Sequence, residues 1–506
     1  MYFFFGILIS LSSIEPDVAF IIFVLDILAH NSTIYSMAYI SLATKHVQIY
    51  YWNCIALLNF YNNIFSISYE KNTQVIQNAL NKASTMNHYH NEKHLGCVRI
   101  SGGDYPVKRL FVKNNTKMII EEDTRLVNVV NKTLIAILHV LNADNIIIEG
   151  PGYLYGNAEK AWKFFSDYDN RMSPYNDDGT APRTHCLYIQ NSNNIIVRNG
   201  LHLHNSTDWT FRIDNSSNVF VDNVDIYGDS RFPNNDGFDP QSSINVTLIN
   251  SRIDVADDGV CPKADKAMGP LINLYVHNVT IRSKSHAIKF GSNTDTLMSN
   301  IVFDNITIWD SNGGLSIQQR SDGYIENVTW SNIHIETRYQ AGRWWGNGEW
   351  LGITNTPRNI PNNEHAIKNM KFINITGRSE NGGLLSGLSH GVSDIVFENI
   401  DIKIMTWSNY STGPEKCCAS PLICVDGMMN NSSKNKCVSH PLQTGTIIDC
   451  MGTRDYRPTP DCKYIVYCTY FITMTQLTTR FNFILHLDKT QLQKMNLVLF
   501  QVVQVL

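Results

Sequence analysis

Asn245-Val-Thr-Leu-Ile-Asn250 returns 28 residues later as Asn273-Leu-Tyr-Val-His-Asn278. The same phrase, an asparagine, alternating apolar positions and a second asparagine five places along, stands at Asn194 to Asn199 and Asn218 to Asn223. It continues at Asn300 to Asn305, Asn327 to Asn332 and Asn369 to Asn374, with Asp in first place at Asp394 to Asn399 and a fainter copy from Asn145. From Asn194 onward, successive starts lie 24, 27, 28, 27, 27, 42 and 25 residues apart, so a unit takes about 27 residues and one unit carries an insertion. A fixed period of that size means stacked units. The two-residue alternation within each phrase makes the units β rather than helical. The expected fold is all-β, a single-stranded parallel β-helix.

Asparagine suits the ends of the phrase because it tolerates the left-handed conformation of a tight corner, and stacked amides can bond from coil to coil. Ladder geometry therefore explains the Asn-x-Thr sequons at Asn245, Asn278, Asn305, Asn327 and Asn374, whereas Asn114, Asn131, Asn205, Asn409 and Asn430 read as sugar sites. A solenoid end needs a cover. Val75, Ile76, Ala79, Leu80 and Ala83 fall at helical spacing, which predicts an N-terminal capping helix. These limits place the β-helix over 66–445, after an apolar leader (1–30) and an unassigned stretch (31–65), with an unassigned tail over 446–506.

Residues 1–13 have the length of a signal h-region without a preceding Lys or Arg, and Glu15, Asp17 and Asp26 interrupt the apolar runs. Secretion is the expectation, with no stable membrane insertion. Eleven cysteines, with Cys417, Cys418, Cys424 and Cys437 close together beside the sequons at Asn430 and Asn431, favour disulfides in an oxidising compartment. A zinc site there would have only His440 to add. A net charge of -4 without a dense basic run gives nucleic acid nothing to bind, and the chain is expected to be a monomer.

Two acidic clusters break the regularity, Asn234-Asn-Asp-Gly-Phe-Asp239 and Asp257-Asp-Gly259. Asp258 lies 13 residues after its coil start at Asn245 and His286 lies 13 after Asn273, so the two should stack. Asp236 lies 18 after Asn218 and reaches the same wall if the turn from Gly228 to Asn234 bulges. Three carboxylates and an imidazole in one groove suit glycosidic hydrolysis, in which one protonated acid serves the leaving oxygen and an ionised partner activates water. Crowding supplies the unequal ionisation. The bland alternatives are ordinary Asp-Gly corner turns or a calcium-binding turn.

With these motifs the sequence resembles glycoside hydrolase family 28, the polygalacturonase family, over roughly residues 66 to 445. Asn234-Asn-Asp236 is similar to the family's Asn-Thr-Asp, Asp257-Asp258 to its Asp pair, Lys263 to the lysine that follows, and His286 to the histidine of its Gly-His-Gly. The resemblance implies a right-handed helix, inversion by single displacement, Asp257 as general acid, Asp236 and Asp258 handling the water, and His286 setting the ionisation of the acid. It implies no metal or organic cofactor. Ser316 and Gln318 stand where the family's Arg-Ile-Lys motif holds the substrate carboxylate, which puts galacturonate specificity in doubt. Arg320 or Lys289 are candidates to restore that charge. Trp345 and Arg358, in the long coil that also carries Trp344 and Trp350, are candidates for the groove border; the tryptophans either stack on sugar or pack the loop down. The expected substrate-binding set is thus Asn234, Lys263, Lys289, Gln318, Arg320, Trp345 and Arg358, and the expected partner is a pectic polysaccharide. A calcium-dependent lyase and a β-helix that only binds glycans are the rival readings.

Overall fold

The computed structural model describes residues 68–85, 95–130, 135–161, 182–230, 232, 234–340, 346, 348–355, 367–387 and 392–404, together with the backbone of short strands at 40–41, 47–51 and 54–58. The chain winds as a right-handed parallel β-helix. Each copy of the repeated phrase pairs in parallel register with the next, as Val246↔Leu274, Ile301↔Val328 and Met370↔Ile395 illustrate. In the earlier coils the phrase ends a strand and a second short strand follows. From Leu271–Ser283 onward the two merge into strands of 13 or 14 residues.

The expected asparagine corners are in place. The corner asparagines of the phrase from Asn145 to Asn399, and Asp394, have φ between 51° and 64°, the left-handed region that asparagine tolerates. Their amides form two ladders. Along one, Asn245 Nδ2 donates to Asn218 Oδ1 (2.9 Å) and Asn273 Nδ2 to Asn245 Oδ1 (2.9 Å). Along the other, Asn278 donates to Asn250 (2.7 Å) and Asn399 to Asn374 (3.0 Å). Asn205 joins the corners, since its Nδ2 donates to Tyr155 Oη (3.1 Å), the nitrogen a sugar would need. Asn114 is exposed, while Asn131, Asn409 and Asn430 lie outside the described residues.

Between the corners, apolar side chains point inward and stack one per coil. Phe303, Trp330, Phe372 and Phe397 form one such column, with Trp330 and Phe372 centroids 4.4 Å apart. Each fully buried side chain of this size contributes about 1.5–3 kcal/mol. The helix Tyr69–Ala83 plugs the first coil with Ile76, Ala79, Leu80 and Ala83. Gln77 satisfies the open strand edge by donating to Phe111 O (3.0 Å) and accepting from Phe111 N (2.8 Å). Upstream of the helix, Cys54–Leu58 adds a parallel strand to Gly96–Ser101, so the ladder reaches back beyond residue 66. Cys97 is disulfide-bonded and Cys186 and Cys261 are free and buried; the cysteines from Cys417 onward lie outside the described residues.

The wall that matters for chemistry is built from His185–Gln190, Phe211–Asp214 and Phe238–Gln241. Bridges Phe238↔Val260 and Val260↔Ile288 carry it on to His286–Phe290, Gly313–Gln319 and Leu351–Asn355.

Candidate active site

Those bridges place Asp236, Asp258 and His286 at equivalent positions on three successive coils. Gly237 N donates to Asp258 O (2.8 Å) and Gly259 N to His286 O (2.9 Å). Asp236 reaches the column through a bulge: Tyr227↔Asp254 and Phe238↔Val260 bracket ten residues of chain on one coil (228–237) and five on the next (255–259). Asn235 pins that bulge. Its Oδ1 accepts from Ala256 N (3.0 Å) and Asp257 N (3.1 Å), while its Nδ2 donates to Asp229 O (2.9 Å). Asn234, at φ 52°, turns its own N–H onto Asp257 Oδ2 (3.1 Å) and accepts from Arg183 Nη1 (3.1 Å).

The carboxylates are buried and their surroundings differ. Oxygens of Asp236 and Asp258 come within 4.8 Å of each other. Asp258 is held from several sides: Lys289 Nζ lies 2.6 Å from Oδ2, Ser285 Oγ donates to Oδ1 (2.9 Å), and His286 Nδ1 lies 3.7 Å from Oδ1. Burial opposes its charge, but the Lys289 ammonium and the imidazole outweigh burial and hold Asp258 well below the usual carboxylate range. Asp257 is without an ion-pair partner among the described residues. Burial first, then the charges of Asp236 and Asp258, push it up to about 7.

Lys263 completes the group. It bonds Asp239 closely and lies 3.3 Å from Asp236 Oδ2, with the Trp209 ring centroid 4.1 Å from its ammonium. Asp236 Oδ1 and Asp239 Oδ2 are buried and have no hydrogen-bond partner among the described residues. Burial and the charge of Asp239 drive Asp236 upward despite Lys263. Burial likewise raises Asp239, to about 6, against the pull of Lys263.

Of the residues expected at the groove, Asn234, Asp236, Asp257, Asp258, Lys263, His286 and Lys289 come together. Both lysines face carboxylates of the protein itself. Gln318 lies two residues along the strand from Ser316, which is in register with Lys289; both are buried, and Ser316 Oγ has no partner among the described residues. Arg320 follows the strand end, half-buried, its N–H donating to Thr294 Oγ1 (3.1 Å). Trp350 packs inward, 3% exposed, which decides in favour of loop packing at that position; Trp344, Trp345 and Arg358 lie outside the described residues.

Sequence reasoning missed Glu349, Asp239, Asn235 and Trp209. Glu349 stands in the insertion, where the period that locates other residues fails. Asp239 was visible within the first acidic cluster, and only its bond to Lys263 gives it a place.

The sequence pattern described as "Glycosyl hydrolases family 28" matches residues 99–419, well over half of the chain. This chain belongs to glycosyl hydrolase family 28. Among curated relatives, "Probable exopolygalacturonase B" of Aspergillus flavus is 30% identical over 153 residues, covering 29% of this chain and 33% of that protein. An exopolygalacturonase of Cochliobolus carbonum is 36% identical over 91 residues, 17% of this chain and 19% of that one. The matched region thus spans about a third or less of these relatives' length. The solved polygalacturonase from Erwinia carotovora ssp. carotovora shares the fold of this family 28 chain, with a TM-score of 0.53 and 19% identity over 69% of this chain and 95% of that one.

Proposed function

We propose that this family 28 chain is an inverting glycoside hydrolase acting on an α-linked pectic polysaccharide. The observation that carries the reading is the contrast between adjacent carboxyls, Asp257 among other acids without an ion-pair partner and Asp258 against Lys289 and His286. A protonated acid beside an ionised base is what single displacement at a glycosidic carbon requires. Asp257 gives its proton to the leaving oxygen as the carbon–oxygen bond breaks. Asp258 accepts a proton from the water whose oxygen bonds to the anomeric carbon. Asp236, tied to Asp239 and Lys263, orients that water, and solvent returns the proton from Asp258 to Asp257.

Among the described residues the cluster holds five carboxyls (Asp236, Asp239, Asp257, Asp258, Glu349) against three basic groups (Lys263, Lys289, His286), so full ionisation of the acids is opposed. An eliminating lyase would need an unengaged cationic base, and both lysines are bound to carboxylates. Secretion is part of the same proposal, and a polygalacturonan substrate accords with the names of the relatives, which are exopolygalacturonases. Among the described residues no helix is long and apolar enough to cross a membrane.

The test is release of reducing ends from polygalacturonate, rhamnogalacturonan and xylogalacturonan by the native protein and by Asp257→Asn. Turnover by the native protein that is lost in the variant supports hydrolysis at this site; equal release by both would refute it.

A further inference from the structure

His286 is buried with two acids at its two nitrogens. Nε2 donates to Glu349 Oε1 (3.1 Å) and Nδ1 lies 3.7 Å from Asp258 Oδ1. The ring lies flat on the next coil because residue 313 is glycine: a Cβ there would come within 2.4 Å of His286 Cδ2. Glu349 comes from the inserted part of the long coil, 63 residues further along the chain. Its approach is built into the backbone. Gly346 and Gly348 take φ of 109° and 81°, conformations that favour glycine. Gly348 N donates to Asn312 O (2.6 Å), and Glu349 O accepts from Gly314 N (2.9 Å) beside the imidazole. Thr337 Oγ1 donates to Gly348 O (2.9 Å) and closes the insertion behind the acid.

We infer that Glu349 is a positioning residue for the hydrolysis: it fixes the His286 ring and keeps it an imidazolium, which in turn keeps Asp258 ionised. This rests on the hydrolase reading above. Glu349 is 4% exposed and directs its carboxylate at the imidazole. A neutral imidazole can donate from one nitrogen only, whereas the imidazolium offers a proton to each of two acids. Among the described residues, the charged groups at the ring are Asp258 from the preceding coil and Glu349 from the insertion. Lys289, on the ring's own strand, shares Asp258; Lys284 precedes the ring by two residues, and Asp257 and Asp236 lie beyond Asp258. Burial favours the neutral ring, and the Asp258 carboxylate 3.7 Å from Nδ1 together with the Nε2 bond to Glu349 outweigh burial, raising its pKa.

The experiment follows the His286 ring directly. In protein carrying 13C-labelled histidine, the His286 signal is identified by its loss in His286→Gln, and its titration is recorded in the native chain, E349Q and E349D. The native ring should titrate above the ordinary histidine value of about 6.5. In E349Q the midpoint should fall by at least about one unit, the scale of a single lost charge partner. E349D, its carboxylate drawn back by one methylene, should lie between. In parallel, kcat at neutral pH should fall in E349Q with KM little changed. An unchanged midpoint, or an unchanged kcat, would overturn the inference. Should E349Q not fold, E349D decides alone: a lowered midpoint supports the role and an unchanged one refutes it. If the native chain cleaves no pectic glycan, the hydrolase reading fails, while the titration still decides what Glu349 does to the ring.

Discussion

Two columns of polar side chains run along this solenoid, each contributed one residue per coil, and they obey opposite rules. On the outer corners, Asn218, Asn245 and Asn273 repeat the same amide, Asn245 donating to Asn218 and accepting from Asn273. In the cleft, Asp236, Asp258 and His286 occupy equivalent positions and no two neighbours share the same surroundings. A neutral amide carries both donor and acceptor, so its ladder is satisfied at any length. Carboxylates carry acceptors only and repel at the spacing of adjacent coils, so their column must change residue and bring in cations from the sides. Repetition marks architecture here, and its failure marks chemistry.

The largest test of that contrast is Asp257→Asn. Loss of a general acid should cut kcat by about 10²–10⁴, with KM and thermal stability nearly unchanged, as read by steady-state kinetics and calorimetry. A variant within a factor of three of the native rate would break the distinction between the columns.

Lys289→Met should act on stability as well as on rate. Removing one partner of a buried ion pair costs about 3–5 kcal/mol. Asp258 is depressed in the folded protein, so the stability it contributes is present above the ordinary aspartate pKa and is lost as pH falls through the folded value. The gap between variant and native in urea unfolding should therefore be wide at neutral pH and narrow as the medium is made strongly acidic. A gap that does not depend on pH would mean that Lys289 acts by packing alone.

Asp257 moves in the other direction. Raised to about 7 by burial and by its acidic neighbours, it must be protonated to act, so kcat/KM should fall about tenfold per unit as pH rises past that value. An alkaline limb beginning near pH 5 would show that Asp257 is not held among like charges.

The smallest effect is expected at the ladder. Asn278→Ala removes two amide bonds, the one to Asn250 and the one from Asn305, and should cost about 2 kcal/mol, read by chemical unfolding, with kcat and its pH profile untouched. A shifted pH limb in this variant would erase the division between the two columns.

The repeated, neutral features were legible in the sequence because spacing carries them. The 27-residue period, the left-handed asparagine corners and the capping helix all follow from position along the chain. The equal offset of Asp258 and His286 from their coil starts aligned them correctly, and the bulge needed to bring in Asp236 is present. Partner choice inside the cleft was not legible. Lys263 could be read as substrate-binding and Lys289 as a candidate for a substrate carboxylate, but only side-chain reach between coils shows that they neutralise Asp239, Asp236 and Asp258. Glu349 was hidden for a related reason, because an insertion has no register with the coils around it until its glycines fold it back.

The account's central claim is that stacked coils bring separated acids into one cleft and set them to attack from one side and release from the other. The most direct measurement is proton NMR of the first products from polygalacturonate, taken before mutarotation. The account predicts that the β-anomer appears first from the α-linked substrate. First appearance of the α-anomer, or of an unsaturated product, would contradict it.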